Sequence, residues 1–244
     1  MSALPAKDTV SIVLDLMNER YELSSYCYFY GSHSINTAKP NSDVDLIFVY
    51  EQSIEAYREK FMYEGLLMDV FVYDEETLNG SLHMARMNGK FGSADALITA
   101  RTLPAPTAAS EKLRATASRI RKAGYIFQNR AYVRQYITNI LDDLEANPAS
   151  AERNMLCVDL FKSTTDLILI GGGAGMCDRK HAAQELTGID AEMHQRLDAG
   201  LIRALSGDVT ELAASARKVL SQIGGPLREG FKQGFPNPIR MPFR

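Results

Sequence analysis

The sequence contains no uninterrupted apolar run near the ~18 residues that a membrane-spanning helix requires, so no membrane association is expected. Its first segment, MSALPAKDTVSIVLDLMNERY, has acids inside the apolar stretch and no basic start, so it does not read as a secretion signal. Cysteine is scarce: Cys27, Cys157 and Cys177 are odd in number and show neither CxxC nor His-paired metal spacing, which fits reduced thiols in a cytoplasmic protein. A basic excess is also missing. The formal net charge of -3 argues against a broad nucleic-acid-binding surface, although a local basic patch stays open. No internal repeat and no low-complexity tract occurs. What remains is ordinary globular composition, 45% hydrophobic and 23% charged, which excludes disordered and fibrous classes. At 244 residues the chain can bury one large core or two modest ones, and two are expected.

The pattern changes along the chain. In residues 6–20, Val10, Val13, Leu14 and Met17 repeat at the spacing of one helix face. SYCYFYG then reads as a strand and turn, DVDLIFVY as a second strand, and EKFMYEGLLMDVFVY as a hairpin turning near Glu64 and Gly65, with SIEAYREKFM open to a helical reading instead. DEETLNGSLHMARMN predicts a helix with acids in its first turn, and ALITARTL a last strand. After LPAPTAAS the chain becomes alanine-rich and charged at helical spacing. Helices are expected over 109–127, 130–146, 148–170, 179–187, 190–206 and 208–223, with Asn147 and Pro148 as the start of the third. The fold class is therefore α+β: residues 1–107 form a mixed sheet with flanking helices, and residues 108–244 an all-helical domain with a coil tail from about 224.

The segment YGSHSINTAKPNSDVDLIFVY carries the chemistry. Asp43 and Asp45 flank Val44, and residues i and i+2 of an extended chain point to one side, so the two carboxylates repel at close range. A divalent ion removes that repulsion, and Mg²⁺ favours one or two carboxylates together with phosphate oxygens. Asp69, inside the apolar run LLMDVFVY, offers a third acid, because a charge there is costly without a partner. Asp74, Glu75 and Glu76 lie just beyond the same strand as other sources of a carboxylate. Gly31 and Ser32 follow a strand directly. Glycine permits close backbone approach to a ligand, and free N–H groups with a hydroxyl at a helix start suit phosphate.

Gly-Ser, ten residues, Asp-Val-Asp and a later Asp among apolar residues resembles the signature of the nucleotidyltransferase superfamily related to DNA polymerase β. PNSDVDLIFVY is similar to the bacterial branch that holds aminoglycoside nucleotidyltransferases and minimal nucleotidyltransferases. The resemblance implies that Gly31 and Ser32 contact the nucleotide phosphates. It makes Asp43, Asp45 and Asp69 both metal ligands and catalytic residues, with Asp69 drawing the acceptor proton or binding metal. It further implies two Mg²⁺ ions, an NTP co-substrate taken as ATP, and a helical domain forming the acceptor wall. The aminoglycoside enzymes have a lysine on the nucleotide phosphates in their helical domain, for which Lys180, in CDRKHAAQEL, is the candidate here, and Glu152, Arg153 and Asn154 are similar to a helix lining their acceptor site. Ile35 and Asn36 depart from the Arg-Gly of many relatives. Asn tolerates a left-handed turn, so the loop keeps its shape while a positive charge is lost.

The implied activity is transfer of a nucleoside monophosphate to a hydroxyl of a small-molecule acceptor, with pyrophosphate released. A polycationic acceptor would need acids from the helical half, such as Asp142, Asp143 and Glu152. The alternative is a regulatory or antitoxin-like protein of the same fold that works with a protein partner. His33 reads as a hydrogen-bonding residue of the loop, GGGAG at 171–175 as a helix connection, and Arg114, Arg119, Arg121 and Lys122 as a solvated helix face, some of which could line a cleft. The acceptor and the oligomeric state are left open.

Overall fold

The computed structural model describes residues 8–53, 55–125, 130–147, 151–175 and 179–232, with the side chains of 179 and 180 excepted. The chain divides into two compact units, Met1–Ile126 and Phe127–Arg244. In the first, helix α1 (Thr9–Arg20) is capped by Asp8, whose carboxylate accepts from the Ser11 N–H. Strand β1 (Ser24–Tyr30) runs straight into a single helical turn, α2 (Gly31–Ser34), and β2 (Val44–Tyr50) follows a loop. Next come β3 (Tyr57–Tyr63) and β4 (Leu66–Asp74), the hairpin read from the sequence. Glu64 at φ 48° and Gly65 at φ 78° are both left-handed, as a two-residue turn that matches strand twist demands. Helices α3 (Glu75–Asn88) and α4 (Gly92–Thr99), strand β5 (Arg101–Leu103) and helix α5 (Ala108–Ala123) complete the unit.

The five-stranded sheet has the order β3-β4-β2-β1-β5. After β2 the chain crosses to the edge, forms β3 and returns as β4, which pairs with β2 in parallel while its other pairing is antiparallel. Both faces of β2 are covered, which explains the unbroken apolar run of LIFV. On one face Leu46, Phe48, Met68, Val70 and Val72 pack with Val13 and Leu16 of α1. On the other, Tyr26, Tyr28, Ile47 and Val49 pack with Leu78 and Leu82 of α3, Leu97 of α4, and Leu113, Ala117 and Ile120 of α5.

Two expectations need correction here. ALITARTL is not one strand: α4 continues to Thr99, and only Arg101–Leu103 pairs with β1. Alanine and leucine favour the helix, whose buried side Ala94, Ala96 and Leu97 supply. The helix after LPAPTAAS also belongs with the sheet, because its apolar side closes the sheet's core, so the units divide at 126 and not at 107.

The second unit consists, among the described residues, of α6 (Arg130–Ala146), α7 (Arg153–Gly171), α8 (Arg179–Leu205) and α9 (Thr210–Ser221). Ile137 and Leu141 of α6, Leu160 of α7, Leu197 of α8, and Leu212 and Leu220 of α9 form its core. Helix α7 begins at Arg153, not at Asn147–Pro148; residues 148–150 lie outside the described ones. The two helices expected over 179–187 and 190–206 run on as α8 with a break at Asp190 (φ -153°, ψ 85°), whose carboxylate caps the second part through the Met193 N–H. The start of the tail lies along α6: Arg134 donates to the carbonyls of Gly224 and Gly225, and Thr138 Oγ1 accepts from the Leu227 N–H. No helix among the described residues is long and apolar enough to cross a membrane.

Candidate active site

The parallel pairing of β2 with β4 sets the site. Its register puts Asp45 beside Asp69, and β1 puts Tyr30 beside Asp45 from the other side. Asp43 stands one residue before β2, on the same side as Asp45 as the two-residue period requires. One carboxylate oxygen from each of Asp43, Asp45 and Asp69 lies within 4.8 Å of the others. Asp69 is the most buried of the three, at 3% exposure. Asp74, by contrast, pairs with Tyr50 at the far end of the strands and caps α3 through the Thr77 N–H, which removes it as a source of a third acid.

Two cations that were not singled out in the sequence stand on these acids. Arg58 of β3 forks onto Asp69, with Nε donating to Oδ1 at 2.8 Å and Nη2 to Oδ2 at 2.6 Å. Its guanidinium also lies 4.8 Å from the centre of the Phe71 ring. Lys60 Nζ lies 2.8 Å from Asp43 Oδ2 and 2.8 Å from Asp69 Oδ2, bridging the two. The turn at Glu64–Gly65 could have revealed this: with Tyr63 opposite Leu66, counting back along the hairpin brings Lys60 opposite Asp69. The hydrogen bond from Lys60 holds the Asp43 carboxyl below the usual carboxylate range. Burial pushes the Asp69 carboxyl up, but the bonds and charges of Arg58 and Lys60 outweigh it and leave that group low as well. Burial, followed by the charges of Asp45 and Asp69, pushes the Tyr30 phenol up.

Gly31 has a second reason to be glycine besides its left-handed φ of 72°. A Cβ there would fall 2.1 Å from Asp45 Oδ2, so any side chain displaces that carboxylate. Ser32 sits in the turn that Gly31 opens, and its carbonyl accepts from the Thr37 N–H at 2.9 Å. Asn36, in place of the relatives' glycine, adopts φ 58°, so the loop does keep a left-handed turn at that position. His33 Nε2 donates to the Ser42 carbonyl at 3.1 Å and ties the two ends of the loop. Three hard carboxylate oxygen donors at this spacing, backed by a glycine that leaves room for one of them, fit a divalent cation.

Residues 10–78 match the nucleotidyltransferase domain family. That span contains Gly31, Ser32 and all three acids, and it supports nucleotidyl transfer as the general activity. No curated protein is similar in sequence. Among solved structures, the nucleotidyltransferase-like protein from Exiguobacterium sibiricum 255-15 superposes with a TM-score of 0.50 at 9% identity, over 87% of this chain and 74% of that one. At such identity the likeness concerns the fold, a mixed sheet with flanking helices followed by a helical region.

The remaining sequence candidates separate. The side chain of Lys180 lies outside the described residues. Arg114 is structural: Nη1 donates to the carbonyls of Leu97 and Ala100 at the end of α4, and Nη2 to Thr102 Oγ1. Arg121 pairs with Asp95. In the helical unit Asp142 is held by Arg228, and Arg153 donates to the Asn154 side chain.

Proposed function

We propose that this protein transfers a nucleoside monophosphate from an NTP, ATP in the simplest reading, to a hydroxyl of a small-molecule acceptor. The observation that carries the reading is the convergence of Asp43, Asp45 and Asp69 directly beside the Gly31–Ser32 turn. Asp43, Asp45 and Asp69 would hold the Mg²⁺ ions that accompany the triphosphate, and the backbone and hydroxyl of Gly31 and Ser32 would receive phosphate oxygens. Bound there, the ions supply charge neutralisation on the phosphates and a lowered pKa for the attacking hydroxyl. Asp69 serves better as a ligand than as a base: its two oxygens already accept from Arg58 and Lys60, and its low proton affinity favours the carboxylate. Arg58 keeps that carboxylate oriented through a bidentate fork.

The test has two stages. Calorimetric titration of ATP with and without Mg²⁺ should show metal-dependent binding that Asp45→Asn abolishes while the circular dichroism spectrum stays that of the parent. Hydroxylated compounds, aminoglycosides among them, are then screened for pyrophosphate release. Equal ATP binding by parent and Asp45→Asn would remove the metal site, and with it this reading in favour of a regulatory protein of the same fold.

A further inference from the structure

The unexpected feature of the site is that a lysine holds one oxygen of each of two acids that would bind a metal. Lys60 Nζ sits 2.8 Å from Oδ2 of both Asp43 and Asp69, in hydrogen-bonding contact with each. Mg²⁺ binds carboxylate oxygen at ~2.1 Å, so an ion seated on those two atoms and an ammonium at its present place would lie in near contact. In a partly desolvated site that like-charge approach is strongly unfavourable. Lys60 at its present place therefore opposes an ion on those two oxygens.

The two cations of β3 differ in their freedom to move. Arg58 is bound at both oxygens of Asp69 and lies on the face of Phe71, so leaving would break three interactions at once. Lys60 projects from the edge strand on a four-carbon stem with 42% of its side chain exposed, and it can swing outward without disturbing the core. Resting on the metal reading of the three acids, we infer that Lys60 is an exchangeable internal cation. In the free protein it neutralises Asp43 and Asp69. It withdraws when a divalent ion enters, and the triphosphate that arrives with the ion gives the released ammonium a new anionic partner. Metal alone then binds weakly, metal with nucleotide binds well, and Lys60 is the residue that couples them.

The experiment measures Mn²⁺ affinity by electron paramagnetic resonance, without and with ATP, for the 244-residue parent, Lys60→Met, Lys60→Gln and Asp45→Asn. If Lys60 occupies the acids nine-tenths of the time, removing it strengthens binding of Mn²⁺ alone by about tenfold, because apparent affinity scales with the competent fraction. The gain in Mn²⁺ affinity on adding ATP should shrink in the same variants. Lys60→Gln retains a hydrogen-bonding side chain and serves if Lys60→Met fails to fold. Lys39→Met removes an equal charge from the loop between α2 and β2. Unchanged or weaker Mn²⁺ binding in the Lys60 variants, or an equal gain in Lys39→Met, overturns the inference. In the first case Asp45-dependent Mn²⁺ binding by the parent leaves the metal reading standing, whereas no Asp45-dependent binding in any variant overturns both.

Discussion

The two units use charge in opposite ways. In the helical unit acids and bases meet as separate, partly exposed pairs: Arg196 with Glu211, Arg203 with Asp208, Arg217 with Glu145, Arg228 with Asp142 and Lys162 with Asp166. Each pair stands apart from the others and is screened by water, so each adds little to stability. In the sheet unit three carboxylates crowd one end of two parallel strands, and the two cations that answer them come from a third strand. Such crowding does not help folding, since like charges at this distance oppose it. The lesson is that charge placed against stability marks the chemistry, whereas charge placed in pairs marks a surface.

That contrast can be broken at several points. The largest effect belongs to Asp69→Asn. ATP affinity should persist through Asp43 and Asp45, while kcat with a responsive acceptor falls at least ~10²-fold, because a ligand of the ion that activates the hydroxyl is lost. Rapid-quench turnover at saturating ATP measures it, and parental kcat would leave Asp69 as a purely structural acid. In the helical unit the comparable loss is of stability. Leu212→Ala, at a fully buried position, should cost ~2–5 kcal/mol in urea unfolding. An effect below 1 kcal/mol would mean that the α9 core is not packed as described.

Smaller changes sharpen the comparison. Gly31→Ala forces a β-carbon onto Asp45 Oδ2 and a left-handed backbone on alanine, so Mg²⁺-dependent ATP binding should weaken by at least about tenfold, or ~1.4 kcal/mol. Calorimetry showing parental affinity would place the phosphates away from this turn. The smallest effect is expected for Arg203→Ala, which removes one exposed pair and should leave the urea-unfolding midpoint close to the parent's. A larger shift would show that the helical pairs act as a network.

Much of this molecule was legible in the sequence because its signals are local. The turn near Glu64–Gly65, the helix with acids in its first turn and the strand carrying Asp45 rest on neighbouring residues, and all three appear in the fold. ALITARTL misled because a short apolar run serves a helix or a strand equally well, and only its packing below the sheet decides. Asn147–Pro148 carried a sound capping signal, yet the described helix starts at Arg153. Arg114 looked like solvated charge and proved to be tied to the end of α4, because a linear pattern does not show which carbonyls lie nearby.

The sequence by itself determined that Asp43 and Asp45 share one side of an extended segment, since backbone pleating is a local geometry with a period of two. It determined that Asp69 needed a partner, since an apolar strand cannot hold a lone charge. It also determined that Asn36 could take a left-handed turn. Only the tertiary structure decided that β4 returns between β2 and β3, and hence that Asp69 lies beside Asp45 and that Arg58 and Lys60 reach the acids. It alone showed that Gly31 makes room for the Asp45 carboxylate. The reason is physical: the face a side chain takes is set by its own few residues, but which strands become neighbours is set by the burial of both sheet faces, to which the whole unit contributes.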